Sequence, residues 1–405
     1  MNYLWGIAGI LVILGIGFLF SNNRRRINWR TVLGGLAIQL LFAFIVLKWN
    51  WGREQLENLS MLVAEITSYA NEGINFLFGG FFTPESNITY VFALNVLPIV
   101  IFFSSLISVL YYLNIMQVFI KIIGGALSKL LGTRKAESMS AAANIFVGQT
   151  EAPLVVRPYI NRMTESELFA VMTGGLASVA GSVLVGYSLL GVPLEYLLAA
   201  SFMAAPAGLI MAKLFVPETS NEPEPEEFKM ESDSDAVNVV DAAAKGASVG
   251  LQLALNIGAM LLAFIALVAM INGFLGWFGG LVGWESLSLE LIFGYVFAPL
   301  AFIIGVPWEE AIQAGNFIGQ KIVVNEFVAY TNFAPEIPNL SEKTVAVLSF
   351  ALCGFANISS LAILIGGLGN LAPKRRPDIA RLGIKAVIAG TLASLLSAAI
   401  AGMLF

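Results

Sequence analysis

Two acidic residues lie inside long apolar stretches of the sequence. Glu151 lies in Ser138–Ile160 and Glu326 lies in Leu289–Tyr330, and both stretches are interrupted by amides, hydroxyl groups and prolines. A charged side chain at the centre of a bilayer costs about 2.5–3.5 kcal/mol on insertion scales, so such residues usually face a cavity and have a function. Carboxylates and amides accept hydrogen bonds from hydroxyl groups. The two stretches therefore favour a pocket for a neutral, hydroxyl-rich solute.

A second interpretation of the two carboxylates is structural, because each could form an ion pair. The partners would be Arg157 for Glu151 and Lys321 for Glu326, the only basic residues in the two stretches. So few basic groups suit a phosphate ligand badly, since phosphate recognition relies on arginine clusters. The chain contains no histidine, which removes the commonest general base and metal ligand.

The composition indicates which elements must position these groups. Of the 405 residues, 58% are hydrophobic and 12% are charged, against about 45–50% and about 25% in soluble domains. We therefore expect an all-α protein that crosses a membrane many times, with about 20 mostly apolar residues per helix. Eight stretches qualify: Tyr3–Phe20, Thr31–Leu47, Val91–Leu113, Leu168–Leu190, Leu194–Val216, Ala247–Phe274, Val345–Leu371 and Ile379–Phe405.

The distribution of Lys and Arg predicts the orientation of these spans, because both residues concentrate in cytoplasmic loops. The run Arg24–Arg26 follows the first span, which places the N-terminus outside, and eight spans then place the C-terminus outside as well. Loops rich in Lys and Arg alternate with loops poor in them along the whole chain only if Ser138–Ile160 and Leu289–Tyr330 each enter and leave the membrane on the same side. Both are therefore predicted to be re-entrant hairpins, the first from inside and the second from outside.

Three further segments are predicted to lie outside the bilayer core. Ile115–Leu131 carries Lys121 and Lys129 among apolar residues, which is typical of an amphipathic helix on the inner leaflet. Glu54–Phe78 mixes charged and apolar residues and is expected on the outer surface. Pro217–Asp241 is acidic and contains three prolines, which favours a flexible cytoplasmic linker.

Two short motifs indicate that the halves of the chain are related. The motif Gly175-Leu-Ala-Ser178 follows the first polar stretch, and Gly354-Phe-Ala-Asn357 follows the second. Paired interrupted segments in inverted halves are the best sequence sign of a carrier's binding site, although small residues also abound in membrane helices by chance. The side-chain oxygens of Asn144 and Ser178 could complete a sodium site at such breaks, or could only form hydrogen bonds between helices.

Four motifs resemble the concentrative nucleoside transporter family, and together they span nearly the whole chain in the family's order. They read GQTEAPLVVRP at 148–158, GGLASVAGSV at 174–183, NEFVAY at 325–330 and CGFANISS at 353–360. The resemblance implies eight spans, two re-entrant hairpins in an inverted repeat, an interfacial helix and a homotrimer. It also implies a transport domain that moves like an elevator past a fixed scaffold.

The implied domains follow the chain in order. They are scaffold helices 1–3 with outer and inner interfacial helices in 1–135, the first hairpin with helices 4–5 in 136–216, the acidic linker in 217–245, the long scaffold helix 6 in 246–288, and the second hairpin with helices 7–8 in 289–405.

The resemblance also assigns residues to the solute and to the ion. The nucleobase would contact Gln149, Thr150 and Glu151, the ribose hydroxyl groups would contact Glu326, Asn357 and Ser360, and apolar walls would come from Val183, Leu253 and Phe355. Sodium would bind the side chains of Asn144 and Ser178 and the backbone carbonyls of Val147 and Val179.

The expected function is Na⁺:nucleoside symport into a bacterial cell across its inner membrane, for solutes such as uridine, cytidine or adenosine. Neither enzymatic activity nor an organic cofactor is expected. Nucleic acid is not an expected partner, since the chain has no basic stripe with interleaved aromatic residues. Proton coupling through Glu151 or Glu326 remains an alternative. So do an elevator-type carrier of another polar solute, a channel, and an intramembrane enzyme that uses both carboxylates.

Overall fold

The computed structural model of the protein describes residues 2–82, 91–220, 236–281, 283–284 and 286–405, in which all regular elements are helical. The predicted all-α class is confirmed. The helices up to the first hairpin are α1 (Asn2–Leu19), α2 (Trp29–Leu47), α3 (Asn50–Phe78), α4 (Phe92–Asn95), α5 (Leu97–Tyr112), α6 (Ile115–Leu131), α7 (Lys135–Ala143) and α8 (Arg157–Ile160). Those that follow are α9 (Glu165–Ala177), α10 (Gly181–Leu189), α11 (Leu194–Phe215), α12 (Val239–Leu281), α13 (Leu289–Ile303), α14 (Trp308–Val323), α15 (Glu326–Phe333), α16 (Glu342–Leu352), α17 (Ile358–Leu371) and α18 (Arg376–Leu404).

Several of these helices are long and apolar enough to cross a membrane. In the described part of the chain six meet this test, and α13 with α14, bent by 115°, adds a seventh if the pair is one span. Helix α1 is apolar but shorter, and the predicted span Val345–Leu371 is divided between α16 and α17. The count of eight spans therefore stays a prediction.

The helices form two series with the same order of elements. In each series a helix (α6 or α13) leads into a second helix packed on it (α7 or α14), a short returning segment, a broken helix (α9–α10 or α16–α17) and a long final helix (α11 or α18). Helix α13 takes the place of α6 in this order, and the re-entrant hairpin predicted over Leu289–Tyr330 stays a prediction. The chain turns sharply between α13 and α14 at Gly305, whose φ of +110° favours glycine.

The two broken helices meet at their breaks. The backbone N–H of Phe355 donates to the carbonyl oxygen of Ser178 at 3.1 Å. A Cβ atom on Gly354 would lie 3.0 Å from the carbonyl oxygen of Ala177, so a glycine allows this close approach. The contact places both unwound segments next to each other, where the motifs at 175–178 and 354–357 come together.

The core lies around the broken helices rather than around the longest one. Within the most apolar 18 residues of the spans 165–189, 194–215 and 373–404, 94%, 89% and 89% of the residues are buried, whereas the corresponding share in α12 is only 11%. Helix α12 packs mainly on α5, where Gly246 and Gly250 lie against Ser104 and Ser108. Helices α1 and α2 pack instead on α18 and α11.

Two of the three predicted peripheral segments are helices. Ile115–Leu131 coincides with α6, and Glu54–Phe78 lies within α3. Seven acidic residues of the predicted linker lie outside the described residues. They are Glu222, Glu224, Glu226, Glu227, Glu231, Asp233 and Asp235.

Candidate functional site

A cavity of about 390 Å³ lies between the two predicted hairpins, the two broken helices and α12. Small-molecule sites commonly have volumes of about 300–1,000 Å³. All the residues assigned to the solute line this cavity: Gln149, Thr150, Glu151, Val183, Leu253, Glu326, Phe355, Asn357 and Ser360. The structure therefore brings Glu151 and Glu326 to one space, although they belong to different halves of the chain.

Glu326 begins helix α15 and is buried, with both carboxylate oxygens engaged. Oε1 accepts a hydrogen bond from the Tyr187 hydroxyl at 3.1 Å, and Oε2 accepts one from Asn357 Nδ2 at 2.8 Å. A carboxylate offers about four acceptor positions, so two remain for hydroxyl groups of a solute. The helix N-terminus also favours the negative charge.

Asn357 is held in one orientation because it caps α17. Its Oδ1 accepts from the backbone N–H of Ser360 and from the Ser359 hydroxyl, both at 2.7 Å. An asparagine at this position satisfies an otherwise unpaired N–H group of the helix, and its amide Nδ2 then faces Glu326. Asn325 caps α15 in the same way and accepts from the N–H of Val328 at 2.8 Å.

The tip of the first hairpin, 148–151, presents the other polar groups. Glu151 Oε2 accepts from the backbone N–H of Gly148 at 3.0 Å. Gln149 Oε1 is buried and has no hydrogen-bond partner among the described residues, a situation that costs about 1–3 kcal/mol. The tip packs closely on α9, since a Cβ on Gly175 would lie 2.9 Å from Gln149 Cβ. A solute that donates a hydrogen bond to Gln149 Oε1 would therefore gain binding energy and would also stabilise the tip.

Helix α12 forms the opposite wall and contributes two amides that sequence reasoning missed. Gln252 Nε2 donates to Asn256 Oδ1 at 3.1 Å, and both side chains line the cavity. Their position within the apolar stretch Ala247–Phe274 was the available signal, because amides inside such a span usually face a polar space. Tyr187 was also missed, and no feature of the sequence around it indicates that it meets Glu326.

A second group of buried oxygen atoms lies beside the first hairpin's tip. Asn144 Nδ2 donates to the carbonyl of Ser140 at 2.9 Å, and its Oδ1 is buried with no partner in the described part of the chain. The Ser178 hydroxyl donates to the carbonyl of Asn144 at 2.5 Å, which leaves its own lone pairs free. Val147 and Val179 are buried in the same segments. Neutral oxygen atoms of this kind suit a hard cation, so the assigned residues fit Na⁺.

The alternative interpretation of the carboxylates as ion-paired groups is not supported. Across the described residues no ion pair joins Glu151 to Arg157 or Glu326 to Lys321. The Lys321 ammonium instead donates to the carbonyl of Ala351 and to the hydroxyl of Ser394. Both cavity carboxylates thus keep acceptor positions for a solute.

Comparison with known proteins identifies the family. Models described as "Na+ dependent nucleoside transporter" match at the N-terminus (residues 8–81) and at the C-terminus (residues 196–402), and a model described as "Nucleoside recognition" matches residues 93–193. The chain belongs to the Na⁺-dependent, concentrative nucleoside transporter family. The predicted resemblance is confirmed, and the co-transported ion of this family is Na⁺.

Similar proteins cover the chain from end to end. It is 60% identical to an uncharacterized transporter, YutK, of Bacillus subtilis over 100% of both chains. It is 51% identical to the nucleoside permease NupC of Helicobacter pylori, over 99% of this chain and 97% of that protein. These relatives are transporters and permeases, which is inconsistent with the intramembrane-enzyme alternative.

Solved structures of the transporter CNTnw share the fold. The inward-facing, substrate-bound state has a TM-score of 0.94 at 56% identity and covers 100% of this chain and 98% of CNTnw. A variant in an outward-facing state has a TM-score of 0.96 at the same identity and covers 100% of this chain and 99% of that one.

Proposed function

We propose that this protein is a Na⁺:nucleoside symporter that brings nucleosides into a bacterial cell by elevator-type alternating access. The observation that carries the proposal is the cavity whose polar side chains come from the tips of both predicted hairpins, from the second broken helix and from α12, while the first broken helix adds the apolar side chain of Val183. The relatives support it: one is a nucleoside permease, CNTnw has an inward-facing, substrate-bound state, and a variant of CNTnw has an outward-facing state.

The proposed solute orientation follows from the chemistry of the two ends of the cavity. Glu326 and Asn357 provide acceptor and donor groups side by side, which suits the vicinal hydroxyl groups of a ribose, with Ser360 adjacent. Gln149, Thr150 and Glu151 would hydrogen-bond the edge of a nucleobase, because amides and hydroxyl groups both donate and accept. The apolar walls, which would contact the faces of the base and the sugar, are Val183, Leu253 and Phe355.

Sodium coupling would operate through the first hairpin. Asn144, Val147, Ser178 and Val179 would hold the ion directly next to the tip that carries Gln149 and Glu151. An ion bound there restricts the tip to the conformation that binds nucleoside, and by linkage the nucleoside strengthens ion binding equally. An inside-negative potential of 100 mV adds about 2.3 kcal/mol for each charge that enters with the solute.

The architecture of the proposed carrier has eight spans and two re-entrant hairpins, with both termini outside and the chain in the bacterial inner membrane. The two series α6–α11 and α13–α18 support an inverted repeat. Residues 136–216 and 289–405 would form the transport domain, while 1–135 and 246–288 would form the scaffold of a homotrimer. The segment 217–245 would link them in the cytoplasm.

Uptake of radiolabelled uridine into proteoliposomes tests the proposal. Uptake should depend on an inward Na⁺ gradient, should not be supported by a proton gradient alone, and should be inhibited by unlabelled cytidine or adenosine. Uptake driven by protons without Na⁺ would establish the proton-coupled alternative. Equilibration that needs no gradient and shows no accumulation would indicate a channel, and inhibition only by unrelated solutes would indicate another substrate.

A further inference from the structure

Lys321 is a buried basic residue beside the cavity that the proposed binding scheme does not use. It lies in the last turn of α14 and is 1% exposed. Its Nζ donates to the carbonyl oxygen of Ala351 at 2.8 Å and to Ser394 Oγ at 2.6 Å. Within the described residues it has no ion-pair partner, so its charge is not cancelled by direct contact.

The surroundings of Lys321 stabilise a positive charge. Ser394 Oγ donates its own hydrogen to the carbonyl of Thr391 at 3.0 Å, so towards Lys321 it acts as an acceptor. Ala351 lies in the last turn of α16, where the helix dipole is negative and carbonyl oxygens lack intrahelical partners. An ammonium group, which can only donate, satisfies both acceptors.

The charges that line the cavity or lie directly behind it can be added up. Glu151 and Glu326 contribute two negative charges and Lys321 contributes one positive charge, which leaves one negative charge in the absence of an ion. The buried pair of Lys213 and Glu137 is joined by an ion pair and adds nothing. One Na⁺ therefore brings the sum to zero.

We propose that Lys321 sets the charge around the cavity of the moving part, so that this charge crosses the membrane neutral when the carrier is loaded with one Na⁺ and a nucleoside and singly negative when the carrier is empty. The inference rests on the proposed Na⁺ symport. Its consequence is that an inside-negative potential does not act on the loaded inward step. The potential acts on the return of the empty carrier, whose negative charge it drives outward.

Two assays on the wild-type protein separate these steps. Proteoliposomes are held at 0 or −100 mV with a potassium gradient and valinomycin. Exchange of labelled uridine, with equal Na⁺ and uridine on both sides, involves only the loaded carrier. Its rate should differ by less than about twofold between 0 and −100 mV. Net uptake requires the return of the empty carrier, so its rate should increase several-fold at −100 mV, within the limit of about 50-fold for one charge that crosses the full potential.

Variants of Lys321 test the source of the neutrality. Lys321→Gln leaves the loaded carrier singly negative, so exchange at −100 mV should fall at least about threefold relative to 0 mV. Lys321→Arg keeps the charge and should keep exchange independent of potential. Ser394→Ala is the matched control, since it removes one hydrogen bond to Lys321 but no charge, and its exchange should also be independent of potential.

The inference would be overturned if the wild-type exchange rate depended clearly on the membrane potential. It would also be overturned if the exchange rate of Lys321→Gln were as independent of the potential as that of the wild type. If Lys321→Gln does not fold, the wild-type comparison of exchange with net uptake still decides. Failure of the proposed function is a different result, namely no Na⁺-dependent uridine uptake by the wild-type protein at any potential.

Discussion

Replacing Glu326 with glutamine tests the proposed ribose site most directly. The carboxylate accepts from the Tyr187 hydroxyl and from Asn357 Nδ2. A glutamine can keep both contacts, with Oε1 towards Asn357 and Nε2 towards the oxygen of Tyr187, because a tyrosine hydroxyl also accepts. The cavity therefore keeps its internal hydrogen bonds, and we expect the fold to be retained.

The loss should fall on solute binding. Glutamine has no charge and keeps one acceptor position for the solute in place of two. Hydrogen bonds to charged groups contribute about 1.5–3 kcal/mol and neutral ones about 0.5–1.5 kcal/mol. Losing one charged bond and weakening another from charged to neutral gives about 2.5–4.5 kcal/mol, which corresponds to a roughly 70- to 2,000-fold weaker affinity for nucleoside.

The assay is binding of uridine to the purified protein in saturating Na⁺, with uptake by proteoliposomes alongside. Glu310→Gln is the matched control, because that carboxylate binds Ser341 outside the cavity and should leave affinity unchanged. Deoxynucleosides sharpen the test. Removal of the hydroxyl group that contacts Glu326 should weaken binding to the wild type but should change the affinity of the variant little. Affinity of Glu326→Gln within about threefold of wild type, with an unchanged melting temperature, would refute the assigned role.

Three further changes test other parts of the proposal. Asn144→Ala removes the unpaired Oδ1 and should raise the Na⁺ concentration for half-maximal uptake; an unaltered Na⁺ dependence would exclude Asn144 as a ligand. Gly354→Ala places a Cβ 3.0 Å from the Ala177 carbonyl and should destabilise the protein by about 1–3 kcal/mol, measured by thermal melting; wild-type stability would show that the breaks can separate. A disulfide between Gly35→Cys and Ile210→Cys, whose side chains would touch, should stop uptake reversibly if 1–135 is scaffold, whereas continued uptake would place α2 in the moving part.

The sequence was sufficient for much of the candidate site. Apolar stretches interrupted by carboxylates and amides are unusual because lipid penalises them, so Glu151 and Glu326 could be singled out from the chain alone. The residues carried over from the family for the solute, including Phe355 and Val183, all line the cavity. The helix boundaries at Asn357 and Asn325 also follow from local chemistry, since each asparagine caps the helix that comes after it.

Other features depend on contacts between residues that are far apart in the chain. Local patterns carry no information on which side chain meets Glu326, and the structure supplies Tyr187 from the other half of the molecule. The same holds for Lys321, which is distant in sequence from Ser394. Hydropathy can show that a polar group must be satisfied in a bilayer, because that requirement is local. The partner that satisfies it follows from the way the two series of helices pack, which places both breaks around one cavity.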